Sequence, residues 1–548
     1  MTELFLALAW RVDEWAGWIT DPASGTARYL ASLAIFTAVT ASPAARAWVL
    51  RAPAVGRIVA AAALLALPAA ATCLAFAWAY VATPAFLDHV EPQIAAVSWH
   101  LATGAPLWHA PGATPFYALP YGPLAYEVSY AALALFGPSL AAAKLAGPAA
   151  ATAALALLWP VLRRAGLDRV TTLAVFFTLT LMLFRFSQSA YWNRPDPFIV
   201  LLVMSALWSR GWRSATARWI SLGVVAGALF TLKIHAPAYV LPIVAAEVFA
   251  TRRPILAASV MALGAAAAIA LAFLPAGADP GLFLFWVGVA VRHGGNLELF
   301  VLNVAYVAVW LVPLGWLARG HWAGLERGTR AAILTLAIVS VAVLYPASKH
   351  GAGPWHFVPL VPVAAWLGLG ILRTAGAGPA AADRSRGLAA YAVTVAVLTL
   401  PATVVAQTLV LRNVVDDSEV RAARAELRAA LDRYREETVA VGYAGSARYR
   451  ISFLRPAAVY AGHAYLYDAS AFMDLTYATA GLLPPPPSAL AQCPIEVWLI
   501  PAGEPPFSLR SVYDMKPAFP AEFVAAFRAA YRRTAQGTHF DVWTCAKR

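Results

Sequence analysis

The chain has 548 residues, of which 61% are hydrophobic and only 13% charged, with a mean hydropathy of +0.65 and a net charge of +13. That composition excludes an ordinary soluble domain and describes a chain that crosses a bilayer repeatedly. A nucleic-acid partner is excluded as well, because the basic residues form no stripe with interleaved aromatics.

Residues 1–27 open the chain with an apolar stretch, Leu4 to Trp10, that is too short to span and is broken by Arg11, Asp13 and Glu14. They read as an interfacial helix. A spanning helix needs about 20 apolar residues. Runs near 28–45, 58–83, 140–162, 170–187, 196–210, 217–232, 236–250, 255–276, 297–318, 331–347, 356–372 and 387–411 meet or approach that length. The fold class expected is a polytopic α-helical membrane protein with about 11–12 transmembrane helices.

Lys and Arg are retained on the cytoplasmic side of such chains. Alternate connections here carry Arg46, Arg51 and Arg57; Arg163, Arg164 and Arg169; Arg210, Arg213 and Arg218; Arg252 and Arg253; Arg319, Arg327 and Arg330; and Arg373, Arg384 and Arg386. The opposite connections hold only the isolated cations Arg194, Lys233, Arg292 and Lys349. Residues 84–139 and everything after about 411 therefore face outward, together with nine of the ten histidines, all but His321.

The outer segment 84–139 is too long for a simple connector. It begins with Asp88 and Glu91 and continues into Ile94–Leu101, which suits a helix lying along the membrane surface with Trp99 at headgroup depth. Gly104 ends that helix, and "YALPYGPL" (117–124) leads into a second short helix that stops at Gly137-Pro138.

Beyond residue 412 the composition changes. Residues 416–438 carry apolar positions at helical spacing, and β-type runs follow at Val439–Tyr443, Ala457–Tyr460, Ile495–Ile500 and Phe540–Trp543. Pro484–Pro487 reads as a stiff connector. A small α/β domain results, and the chain divides into 1–57, 58–411 and 412–548. Cys493 and Cys545 fall in this last part, either as a disulfide or as two free thiols, while Cys73 lies inside a span.

Asp88, Glu91 and Asp196 are the acids whose place beside apolar runs points to chemistry. Each has a plainer reading: Asp88 is an ordinary helix cap, Glu91 precedes Pro92 at a helix start, and Asp196 heads a span, where a carboxylate complements the helix dipole. Lys233 in "LKIHAPAY", Arg292 and His293 in "VRHGGN", and Lys349, His350 and His356 in "SKHGAGPWH" stand at outer helix ends. A lone Lys there ordinarily snorkels to the interface, but several cations on one face suit a phosphate. No Walker, His-Glu-x-x-His or Gly-x-Ser-x-Gly pattern occurs, so no cofactor is assigned and a divalent metal is left open.

An acid just after an early span, an interfacial helix ending in Gly, a "PL" entry into a second short helix, and "LFGPS" before the next span resemble the GT-C glycosyltransferases. The likeness is strongest to the bacterial protein mannosyltransferase and aminoarabinose transferase branch. It covers about residues 58–250 well, and the C-terminal part matches nothing in it. The resemblance implies a GT-C-like bundle in the bacterial inner membrane, which would put the outward-facing α/β domain in the periplasm. It also implies a polyprenyl-phosphate-linked sugar as donor and a glycan, lipid or protein as acceptor. Asp88 matches the acid that acts as base in that family, with Glu91 as the alternative because the family often shows adjacent Asp-Glu. "SQSAYWNRPDP" matches its second acidic site at Asp196, and Arg194, Lys233, Arg292, His293, Lys349, His350 and His356 would then serve the donor phosphate. A transporter or lipid-linked-sugar flippase is the alternative; it calls for mid-bilayer charges and an internal repeat, for which only Lys144 and Glu247 are candidates.

Overall fold

The computed structural model describes residues 22–42, 53–374, 379–415, 417–478 and 488–547. The expected interfacial helix before residue 22, Arg46, Arg51 and the Pro484–Pro487 connector lie outside the described residues, as do the side chains of Arg384 and Arg386.

Helices make the bulk of the chain. In order they are α1 (Pro22–Ala41), α2 (Pro53–Ala79), α3 (Val90–His100), α4 (Pro123–Phe136), α5 (Ala146–Arg163), α6 (Arg169–Phe184), α7 (Asp196–Ser209), α8 (Ala215–Phe230), α9 (Leu241–Ala250), α10 (Pro254–Ala272), α11 (Pro280–Val291), α12 (Leu297–Arg319), α13 (Arg327–Ala347), α14 (Leu360–Thr374) and α15 (Pro379–Val415). Six stretches among the described residues are long and apolar enough to cross a membrane, and the others in the bundle are shorter apolar helices. The chain is a multi-pass membrane protein, with large side chains such as Leu64, Ile255, Leu263 and Ile338 exposed around its perimeter.

Each expected run is helical over most of its described residues, with one addition. Helix α11 was not among them: Asp279 accepts from the amides of Gly281 (2.6 Å) and Leu282 (3.1 Å), and Pro280 takes the first helical position, so a 12-residue apolar helix starts there. The two charged candidates inside apolar runs lie toward opposite ends of the bundle, Glu247 in ion pairs and Lys144 in hydrogen bonds. Glu247 pairs with Arg210 (2.9 Å) and Arg218 (3.2 Å) at the Arg-rich end of the bundle. Lys144 donates from its buried ammonium to the Thr83 carbonyl (2.7 Å), the Thr83 hydroxyl (2.6 Å) and the Ala85 carbonyl (2.8 Å), at the other end.

The C-terminal region holds α16 (Ser418–Arg433), β1 (Val439–Val441), α17 (Ala469–Tyr477), β2 (Val497–Pro501), α18 (Ala521–Ala530), β3 (Tyr531–Ala535) and β4 (Phe540–Cys545). The four strands form one sheet in the order β1-β2-β4-β3, parallel between β1 and β2 and antiparallel elsewhere. Two expectations are corrected. Residues 457–460 are helical rather than extended, because Pro456 sits at the first position of a helix running from Pro456 to Tyr460. Strand β3 was not expected, since its burial pattern is one buried residue followed by four exposed ones. Cys493 and Cys545 are joined in a disulfide with Cα atoms 5.9 Å apart.

The sheet domain and the outer segment share a core. Phe86 and Leu133 of the segment, with Leu140 just after it, pack with Val420, Leu427, Val439, Leu454 and Leu499 of the C-terminal part. Phe116 donates its amide to the Leu466 carbonyl (2.7 Å), and Asp468 returns a bond to the Phe116 carbonyl (3.0 Å). This changes the expectation for α3. Residues Val90 to Ser98 are all buried, Trp99 packs against Tyr130 and Tyr460, and Tyr460 donates to the Ala95 carbonyl (3.1 Å). The helix is thus enclosed by protein rather than laid on the membrane surface.

Candidate active site

The ends of α2, α6, α8, α11 and α13, and the start of α7, meet at the face of the bundle opposite the Arg-rich connections, and there they enclose a cavity of about 640 Å³. Asp88, His89, Tyr121, Arg194, Lys233, His235, His293, Lys349, His350 and His356 line it. Seven of the ten sequence candidates therefore converge: Asp88, Arg194, Lys233, His293, Lys349, His350 and His356. Val287, Ala290, Val291, Ala342, Tyr345 and Pro346 supply an apolar side, and Ser470, Asp474, Val512 and Tyr513 reach in from the C-terminal domain.

Asp88 follows α2 on a tightly fastened turn. Lys144 holds the preceding residues, and Glu91 holds those beside it: its carboxylate accepts the amides of Leu87 (2.9 Å) and Asp88 (3.0 Å) on one oxygen, and the amide of Asn193 (3.0 Å) and the hydroxyl of Tyr80 on the other. Glu91 is fully buried and does not line the cavity. It joins the Asp88 turn to the Arg194 turn. Arg455, from the C-terminal domain, donates to the His89 carbonyl (3.4 Å) while pairing with Asp468 (2.7 Å), so that domain fixes the same turn from the other side.

Asp88 faces two nitrogen partners, His89 Nδ1 at 2.7 Å and the Arg194 guanidinium. Burial pushes its carboxyl up, but His89 and Arg194 outweigh that and hold it well below the usual carboxylate range. Burial lowers the His89 imidazole, and the Asp88 carboxylate outweighs it and raises the ring above 6.5. The pair is therefore complete only between these two titrations. Its contribution to stability is lost as pH falls through the depressed Asp88 value and again as pH rises through the elevated His89 value. On raising pH through that second range, the wild-type melting temperature in detergent is expected to fall by more than that of His89→Gln. Parallel curves would show that the pair contributes no pH-dependent stability.

Arg194 also reaches the Tyr121 hydroxyl (3.3 Å) and stands 3.7 Å from Asp196. Asp196 is buried behind the wall rather than on it, where it accepts from Lys233 Nζ at 2.8 Å and stands in the first turn of α7. It orients two cations whose other faces meet the cavity. Gly122 lets these parts close up: a Cβ there would lie 2.2 Å from the Thr231 carbonyl oxygen, two residues before Lys233. Lys349 donates to the carbonyls of Ala290 (2.9 Å) and Val291 (2.6 Å) and lies over the Tyr345 ring, at the apolar side. Arg292 is exposed and stays outside the cavity.

Tyr121, Trp192, Trp355, His235, Ser470, Asp474 and Tyr513 were not singled out from sequence. "YWNRPDP" and "GPWH" carried the aromatic signal for Trp192 and Trp355, whereas nothing local marks Asp474 or Tyr513. No group of three or more His, Cys, Asp or Glu suited to a metal occurs among the described residues.

No family model matches the sequence, and no curated protein matches it. Among solved structures the chain is similar to ArnT from Cupriavidus metallidurans in its apo state, at 15% identity and a TM-score of 0.49, over 85% of this chain and 95% of that one. It is equally similar to the same protein bound to undecaprenyl phosphate, at 14% identity and a TM-score of 0.49, over 87% of this chain and 97% of that one. At that identity the likeness concerns the path of the chain, and it assigns no residue a role.

Proposed function

We propose that this protein is a GT-C-type glycosyltransferase that moves a sugar from a polyprenyl-phosphate donor to an acceptor on the periplasmic face of a bacterial inner membrane. The observation that carries the reading is the composition of one cavity: a carboxylate, Asp88, lines it together with Arg194, Lys233 and Lys349, and an apolar side runs from Val287 to Pro346. An amphiphile with a phosphate between its tail and its sugar meets complementary chemistry in each part. Such cations, aimed at the leaving phosphate in a partly desolvated site, stabilise the charge that accumulates as the glycosidic bond breaks.

In this mechanism the acceptor hydroxyl lies against Asp88. A carboxylate held as low as this one is ionised throughout the physiological range, and it is a weak base while Arg194 remains on it. As the phosphate gains charge it competes for Arg194, and Asp88 then takes the acceptor proton as the new glycosidic bond forms. Orientation supplies the rest, through the two fastened turns that Glu91 joins. The disulfide between Cys493 and Cys545 fits an oxidising compartment for the C-terminal domain, in keeping with the Arg-rich connections on the opposite face.

Purified protein in lipid nanodiscs, supplied with radiolabelled polyprenyl-phosphate sugars and a membrane-extract acceptor, should release free polyprenyl phosphate and label the acceptor. Donor moved across the membrane with its sugar still attached would instead support the flippase reading.

A further inference from the structure

Ser470, Asp474 and Tyr477 stand at i, i+4 and i+7 along α17 and so share one helix face. That face brings Ser470 and Asp474 to the cavity wall. Asp474 is buried, and one of its oxygens accepts from the Tyr513 hydroxyl at 2.7 Å and stands 3.6 Å from His293 Nε2. Unlike Asp88 and Asp196, it has no Lys or Arg partner among the described residues. Burial raises its carboxyl above the ordinary range, only partly offset by His293 and the Tyr513 hydroxyl. Beside it the Ser470 hydroxyl and His293 Nε2 are buried, 2% and 8% exposed, and neither has a hydrogen-bond partner. The rings of Tyr477 and Tyr513 flank His293 with centroids 5.3 and 5.2 Å away, and Tyr477 also meets His350 at 5.5 Å.

Unpartnered polar atoms in a buried wall are destabilising, a cost that a bound ligand able to pair with them removes. A phosphate does not suit this place, since the carboxylate repels it. A sugar ring does: its hydroxyls donate to a carboxylate and exchange bonds with a serine and an imidazole, while its C–H faces lie against aromatic rings. The cations gathered around Arg194 and Lys233 take the opposite charge in the same cavity.

We propose that Asp474, Ser470, His293 and Tyr513 form the subsite that binds the hydroxyl groups of the transferred sugar. The C-terminal domain then sets sugar specificity, and Asp474 acts in binding rather than in proton transfer. The proposal rests on the polyprenyl-phosphate reading given above.

The test is competition binding to the detergent-purified full chain, with radiolabelled undecaprenyl phosphate as tracer. The competitors are bare undecaprenyl phosphate and its conjugates with glucose, mannose, galactose and arabinose. Wild-type protein is expected to bind at least one conjugate about tenfold more tightly than the bare lipid. Asp474→Asn and Tyr513→Phe should each erase that gain, Ser470→Ala should reduce it, and all three should bind bare lipid within about twofold of wild type. Two of these substitutions only delete a hydroxyl, so bare-lipid binding also reports that the fold is kept. Retention of the gain in Asp474→Asn, equal loss of bare-lipid and conjugate binding, or no gain for any sugar in the wild type would each overturn the proposal. If the wild type failed to bind even bare undecaprenyl phosphate, the donor assignment itself would fall; normal bare-lipid binding with no role for Asp474 would remove only the subsite.

Discussion

Asp88→Asn is expected to lower kcat for sugar transfer by roughly 10²–10⁴-fold, the range for loss of a positioned acid or base, with donor affinity kept or improved. The amide retains the shape of the carboxylate but carries no charge and no useful basicity. Arg194 loses its strongest partner while keeping the Tyr121 hydroxyl at 3.3 Å and Asp196 at 3.7 Å, so it stays in place with more of its charge directed at a bound phosphate. The two effects separate in steady-state kinetics, with kcat falling and donor KM unchanged or lower. A variant with wild-type kcat would remove Asp88 from the chemistry.

Glu91→Gln should be nearly as damaging, although Glu91 touches no ligand. Its two oxygens accept from Leu87, Asp88, Asn193 and Tyr80, so both are fully committed to donors. An amide presents an N–H₂ to one of these pairs whichever way it turns. A buried clash of donors costs about 1–3 kcal/mol, and the Asp88 and Arg194 turns lose the link that sets their spacing. The melting temperature should drop by several degrees, and kcat by on the order of 10²-fold as the geometry slackens. A purely structural glutamate would lower only the melting temperature, so the informative comparison is kcat per folded molecule against Asp88→Asn. Wild-type turnover by the folded fraction would show that Glu91 does not align the site.

The bundle was legible because each span is written locally, as an apolar run bounded by Arg-rich or nearly bare connections. Helix α11 escaped this reading because 12 apolar residues fall short of a span, although Asp279-Pro280 marked its start. The cation cluster was legible for a related reason: on a nearly bare face, each isolated Lys, Arg or His stands out. Two acids lay just outside the reach of such reasoning. Glu91 and Asp196 are near the site in sequence and were candidates for chemistry, yet whether a carboxylate faces a cavity or sits behind its wall depends on which way one helix turn points. Asp474 was beyond it altogether, since some 380 residues separate it from Asp88 and only the shared core of the sheet domain and the outer segment brings it to the cavity.

Val291 and Tyr345 contribute to the cavity while remaining 52% and 63% exposed on the flank of the bundle, and Lys349 lies beside them. The proposed lipid-linked donor would thus arrive sideways, by diffusion in two dimensions, without its tail entering water. Saturation by such a substrate tracks its mole fraction among the surrounding lipids rather than its bulk concentration. Diluting the bilayer with inert phospholipid at fixed total donor should slow the reaction, whereas diluting the whole vesicle suspension should leave turnover per protein unchanged.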